Sequence, residues 1–247
     1  MKKIAIYSIK GGVGKTAASV NLSYLASADG FNTLLCDLDP QGASTYYFRI
    51  RASKNFSTNK FINGGKHIDK NIKGTDFPNL DLLPSKLSYR NLDLALDALK
   101  NSKKRLKQIF KEVEDDYDYL FMDCPPGISL VSENVFNTAD IIIVHLIPTT
   151  LSELTYEKLI RFFKKNDINT NKIYTFFSMV ESRKTLHQET INKIIEQGNN
   201  IFESKIPYRS DVEKMGVHRE PVPVTSPHSD STQAYKELWN EIKAISN

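Results

Sequence analysis

Cysteine is scarce in this 247-residue chain, which carries only Cys36 and Cys124. Two isolated thiols build neither a disulfide framework nor a self-contained cysteine-rich metal site, and both read as small buried apolar groups. Long apolar runs are missing as well. The longest, Ile141 to Val144 continued by Leu146 and Ile147, is interrupted by His145 and falls far short of the roughly 18 residues that a bilayer span needs. The opening Met1-Lys2-Lys3-Ile4-Ala5-Ile6-Tyr7 has the charged start of a secretory leader. Lys10 and the glycines that follow end its apolar part before any cleavage-like site, so the chain is expected to stay in the cytoplasm. Internal repeats and low-complexity tails are absent. No sign of charge dominates: 33 basic residues against 29 acidic ones leave a net charge of +4, which permits association with nucleic acid or an anionic surface without demanding it.

What the chain does have is enough apolar content, 40% of its residues, for one large core, and residues 1–247 are read as a single α/β domain. Apolar bursts of strand length recur at Ile4 to Ile9, Thr33 to Leu38, Leu80 to Leu83, Tyr119 to Met122, Ile141 to Ile147 and Ile173 to Phe177. Helical periodicity fills Ala17 to Ala28, Leu92 to Leu99, Leu106 to Val113, Leu154 to Phe163 and Ile191 to Ile195. The alternation predicts a mostly parallel central sheet flanked by helices, with strands apolar throughout because both faces are covered. The polar stretch Arg49 to Gly74 is expected to be a surface excursion with one short helix around Lys60 to Ile62. Lys100, Lys104, Lys107 and Lys111 are expected to share one solvated helical face.

The first strand runs into Lys10-Gly11-Gly12-Val13-Gly14-Lys15-Thr16, and helix formers beginning at Ala17 follow. Strand, glycine loop and helix in this order make a phosphate cradle of the P-loop NTPase kind. Glycines let successive N–H groups turn inward, and the helix start adds its positive dipole end. Lys15 is placed to reach the β- and γ-phosphates and Thr16 to put its hydroxyl on Mg²⁺. ATP and Mg²⁺ are therefore the expected cofactors. Ile9 stands where the general pattern has its first glycine.

The second lysine, Lys10, makes this segment resemble the deviant Walker A motif of the ParA/MinD family of P-loop ATPases, nearest to its ParA and Soj members. Two further segments agree: Asp37-Leu38-Asp39-Pro40-Gln41-Gly42 is similar to the family's switch I, and Asp123-Cys124-Pro125-Pro126 to its switch II. The resemblance implies an ATP-dependent homodimer in which Lys10 acts on the partner subunit's nucleotide. It implies that Asp39 positions or activates the attacking water, and that Asp37 and Asp123 support Mg²⁺, acting through water. Met179 and Pro207, in segments that match the family's adenine side, join Lys10 through Ala17 as ATP-binding candidates. Cys124 also invites comparison with iron–sulfur members of the superfamily, although cluster ligation usually takes four thiolates.

Membership further implies slow, partner-stimulated ATP hydrolysis, non-specific binding to nucleoid DNA, and positioning of a chromosome, plasmid or protein cargo. The stimulating partner would be ParB-like or a cargo adaptor. Arg183, Lys184, Arg209, Lys214 and Arg219 are the DNA-binding candidates, while Asp211 stands where partition members commonly carry an arginine. Two other readings remain beside this one, a MinD-like membrane switch and a scaffold that dimerises on ATP without hydrolysing it. The terminal segment with Tyr235, Leu238, Trp239, Ile242 and Ile245 has polar neighbours of mixed sign, so it reads as a docking helix rather than a membrane-lying one.

Overall fold

A computed structural model describes residues 1–197 and 200–246. In chain order the elements are β1 (Lys2–Tyr7), α1 (Lys15–Ala28), β2 (Thr33–Asp37), α2 (Ala43–Tyr47), α3 (Thr58–Asn63), α4 (Lys66–Asp69), β3 (Lys73–Gly74) and β4 (Leu80–Leu83). There follow α5 (Leu92–Asp97), α6 (Arg105–Lys111), β5 (Tyr119–Asp123), α7 (Leu130–Thr138), β6 (Ile141–Leu146), α8 (Thr150–Lys165), β7 (Ile173–Val180) and α9 (Thr185–Glu196). The chain finishes with β8 (Asn200–Pro207), α10 (Ser210–His218), α11 (Val222–Thr225) and α12 (Asp230–Ser246).

One eight-stranded sheet runs in the order β3-β4-β2-β5-β1-β6-β7-β8, and only the short β3 is antiparallel to its neighbour. The α/β reading with a mostly parallel sheet therefore holds. The central strands β1, β5 and β6 are buried almost end to end because helices cover both faces. Tyr7, Phe110, Phe136 and Phe163 fill one face, and Phe121, Tyr235, Leu238 and Trp239 the other. On that second face α1 lies against α12, and its small residues Ala17, Ala18 and Ala26 allow the close approach. The Trp239 indole N–H donates to Asp29 Oδ2 at 2.8 Å. The apolar stripe of α12 is thus spent in the core, as expected of a docking helix, and no helix among the described residues is long and apolar enough to cross a membrane.

Two expectations need correction. The stretch Arg49 to Gly74 is no mere surface excursion: it forms α3, α4 and β3, and Phe56, Phe61, Ile62 and Ile68 are all buried. Its few apolar residues face inward together, which its polar average hides. The lysine face is shorter than expected: all four lysines are exposed, but the helix is interrupted and only Lys107 and Lys111 share it. Ser102–Lys104 is a 3-10 turn and α6 starts only at Arg105, whose guanidinium is turned to the carbonyls of Ile62 and Asn63 at 2.6 and 2.9 Å.

Candidate functional site

Parallel sheets present their ligand sites at the carboxyl ends of their strands, and the motif residues gather there. β1 ends at Tyr7, the loop through Gly14 follows, and α1 begins at Lys15. Gly12 (φ 71°) and Gly14 (φ 99°) sit in the left-handed region that an L side chain resists, so the loop's curl depends on glycine at both positions. Among the described residues, the backbone N–H groups from Gly11 to Ala17 donate to no protein acceptor. A run of unsatisfied donors at the start of a helix is an anion cradle. The side chain of Lys15 is nearly buried, and its ammonium donates to the Lys10 carbonyl at 3.3 Å. The ammonium of Lys10 instead sits at the rim, 3.5 Å from Ser152 Oγ.

Switch I and switch II are knit to this loop and to each other. Asp37 and Asp123 are register partners at the ends of β2 and β5. Both oxygens of Asp37 are committed: Oδ2 accepts from Thr45 N (2.8 Å) and Thr45 Oγ1 (2.7 Å), and Oδ1 from Asp39 N (3.2 Å). Asp123 Oδ2 accepts from Ser44 Oγ at 2.8 Å, while its Oδ1 is buried without a hydrogen-bond partner. Burial and the neighbouring Asp123 raise the Asp37 carboxyl well above its ordinary range. Burial raises Asp123 too, against the Ser44 and Thr16 hydroxyls and the charge of Lys15, which favour its ionised form. Asp39 is half-buried at the tip, with its Oδ1 accepting from Gln41 N at 2.9 Å. Gly127 closes the other side, donating to Ile9 O at 3.0 Å and accepting from the Tyr7 hydroxyl at 3.0 Å.

These residues fit Mg²⁺ bound together with a polyphosphate. No group of three or more His, Cys, Asp or Glu among the described residues converges to hold a metal unaided. Magnesium, though, is commonly held by one or two carboxylates plus substrate phosphates and water. The unpartnered Asp123 Oδ1 and the Thr16 hydroxyl, which acts on the same carboxylate, would supply the protein's share of such a site. Cys36 and Cys124 do not suit a cluster: both are fully buried, and burial pushes both thiols up.

Beyond Gly14 lies an apolar cleft lined by Val13, Gly14, Ala17, Met179, Pro207 and Tyr235. The two adenine-side candidates thus line one cleft. Met179 holds a left-handed backbone (φ 52°), rare for a side chain of its size, where the β7–β8 register shifts. The DNA candidates are brought together less well. Arg209, Lys214 and Arg219 lie along α10, but Arg209 pairs with Asp230 at 3.1 Å and Arg219 covers the Tyr46 ring at 4.3 Å. Lys184 pairs with Glu181, and only Arg183 and Lys214 among the five lack an ion pair or ring contact within the described residues. Asp211 accepts from Ser231 Oγ at 2.8 Å, a tie to the first turn of α12.

Sequence reasoning missed Ser44, which holds Asp123, and His145, which appeared only as the interruption of an apolar run. A lone polar residue in a central strand was the available signal. His145 is fully buried in β6, where burial and the charge of Lys15 hold its pKa down at about 3. Its folded value lies below the ordinary one, so its contribution to stability is complete above about pH 6.5 and is lost as pH falls toward 3. His145→Gln, which cannot titrate, is expected to flatten the stability–pH slope by up to about 1.4 kcal/mol per pH unit between pH 6 and 4.5. Urea unfolding across that range measures it, and equal slopes in both proteins would mean that His145 is not buried in its neutral form.

Comparison with known proteins agrees with this geometry. An AAA domain family model matches residues 1–176. The chain is 30% identical to a virulence plasmid ParA family protein of Chlamydia psittaci, over 100% of this chain and 95% of that one. It is 28% identical to the sporulation initiation inhibitor protein Soj of Bacillus subtilis, over 98% of both. A plasmid partition protein of Borrelia burgdorferi, solved with AMPPNP, superposes with a TM-score of 0.85 at 23% identity over 99% of each chain. With two-lysine loop, paired switch carboxylates and full-length relatives in agreement, the chain belongs to the ParA/MinD family of P-loop ATPases.

Proposed function

We propose that this protein is a ParA-like switch. It binds Mg-ATP, dimerises around it, holds DNA without sequence preference in that state, and lets go after slow hydrolysis stimulated by a partner. The observation that carries this reading is the unsatisfied N–H run from Gly11 to Ala17, with Lys15 and Thr16 of the same loop acting on Asp123. Bound Mg²⁺ would neutralise charge on the phosphates. Thr16 and Asp123 would hold it, Asp123 through water, and Asp37 would act by anchoring Thr45 behind them. Lys15 meets the phosphates, Asp39 orients the attacking water, and Met179 and Pro207 flank the base. The exposed Ile128, Leu151 and Leu154 border the rim where Lys10 sits and offer an apolar surface for a second subunit to cover. A role in moving a chromosome, plasmid or protein cargo follows from the relatives, one of which is named a plasmid partition protein. The partner is ParB-like or a cargo adaptor, and the working place is the nucleoid within the cytoplasm.

The test is co-sedimentation with non-specific duplex DNA, using Asp39→Ala to hold the ATP state. Binding is expected with ATP and not with ADP. Arg183 and Lys214 from two subunits give about four phosphate contacts, so log affinity should fall against log salt with a slope of about −4. Absence of binding at low salt with ATP would remove DNA from the reading and make a membrane or a protein scaffold the surface to examine.

A further inference from the structure

Two side chains behind the phosphate loop, which also line the cleft beyond Gly14, have been given no role so far. His145, in β6, is fully buried with its ring 4.3 Å from that of Phe176, and its Nε2 contacts the hydroxyl of Ser178 in β7. That hydroxyl, also buried, donates to the Val13 carbonyl at 3.0 Å. The direction of this chain of bonds can be derived. A serine hydroxyl has one hydrogen and a carbonyl can only accept, so the hydrogen goes to Val13 and the imidazole must be the donor to Ser178. His145 is therefore the Nε2–H tautomer, which leaves Nδ1 a bare acceptor, and Nδ1 is indeed buried without a partner.

The consequence lies one peptide further on. In a planar trans peptide the C=O and the following N–H point in opposite directions. Holding the Val13 carbonyl toward β7 turns the Gly14 N–H away from β7, toward the mouth of the loop. Glycine at position 14, whose φ of 99° a flip would change, makes this peptide easy to turn, and a flip would face a carbonyl oxygen toward a phosphate. The imidazole also presses on the next residue: a Cβ on Gly14 would come within 3.2 Å of His145 Cε1.

We propose that Ser178 and His145 are positioning residues for the nucleotide, locking the Val13–Gly14 peptide so that the Gly14 N–H serves the β-phosphate of ADP or ATP. This rests on the loop being the nucleotide site. Neither side chain needs to touch the nucleotide phosphates, since both act through the Val13 carbonyl.

Calorimetric titration of the full chain with Mg-ADP, and competition by AMP, separate this role from simple packing. Ser178→Ala is expected to weaken ADP about tenfold while leaving AMP, which has no β-phosphate, within about twofold. Ser178→Thr, which keeps the hydroxyl, restores ADP binding. His145→Phe keeps the ring but not the donor, and is expected to lose about threefold for ADP alone; it carries the test if Ser178→Ala does not fold. Wild-type ADP affinity in both variants would overturn the proposal, as would an equal loss of ADP and AMP or a failure of threonine to rescue. A wild-type chain that binds no ADP would overturn the nucleotide site itself, an outcome distinct from a binding wild type with indifferent variants.

Discussion

Lys15→Ala is expected to weaken Mg-ATP binding by about a hundredfold, the largest effect of any single substitution in the loop. The side chain is only 7% exposed and its ammonium donates to the Lys10 carbonyl across the loop. Its charge is felt on every side, favouring ionised Asp123 and Cys124 and opposing protonation of His145. A cation held at the entrance of a donor-lined loop is committed to an incoming anion, and hydrogen bonds to charged groups contribute about 1.5–3 kcal/mol each. On the proposed function, the substitution would remove such bonds to the terminal phosphates and take away the cation beside Asp123. Both effects lower affinity. Calorimetric titration with Mg-ATP measures the loss, and a melting curve separates it from damage to the fold. Unchanged affinity in a folded variant would take the phosphate site away from this loop.

How much of this was legible beforehand depended on the kind of signal. The buried strands β1, β2, β5 and β6 were readable because helices on both faces make most of their positions apolar. β8 was missed because it is the sheet edge and alternates instead, with Glu203 and Lys205 exposed and Phe202 and Ile206 buried. Its exposed backbone is then covered from a distance, Glu241 on α12 accepting from Glu203 N at 2.7 Å and Ser204 N at 2.9 Å, a tie that no local pattern reveals. α7 was missed although its start is well marked, with Ser129 and Ser132 forming a reciprocal cap ahead of a short helix. In the site, the motif residues were visible because glycines, a lysine pair and strand-terminal aspartates must lie adjacent in sequence to work. The supports were not. Ser44 meets Asp123 and Ser178 meets Val13 only after the chain has crossed the sheet, and which aspartate keeps an uncommitted oxygen is decided by Thr45, eight residues from Asp37.

Lys10→Ala is expected to abolish ATP-dependent dimerisation while leaving ATP affinity of the monomer within about threefold, a split that no Lys15 variant can produce. The loop itself survives the change, because Lys15 uses the backbone carbonyl of Lys10 and alanine retains it. What is lost is an ammonium at the rim. It forms no ion pair among the described residues, its one hydrogen bond to Ser152 is at the long limit of 3.5 Å, and partial burial lowers its pKa. A lysine so weakly held within its own subunit is free to reach a partner's phosphates, where a charge-assisted bond repays the side-chain entropy of extending it. On the proposed function, dimerisation would depend on ATP because the anion that this ammonium is to meet arrives only with the nucleotide. The exposed Leu151 and Leu154, 61% and 51% accessible, lie beside Ser152 and would be covered in the same event. Sedimentation velocity with Mg-ATP, in an Asp39→Ala background to prevent turnover, reads the outcome: a dimer for the parent and a monomer for the double variant. A double variant that still dimerises would return Lys10 to a role within its own subunit and leave the apolar rim as the sole driving surface.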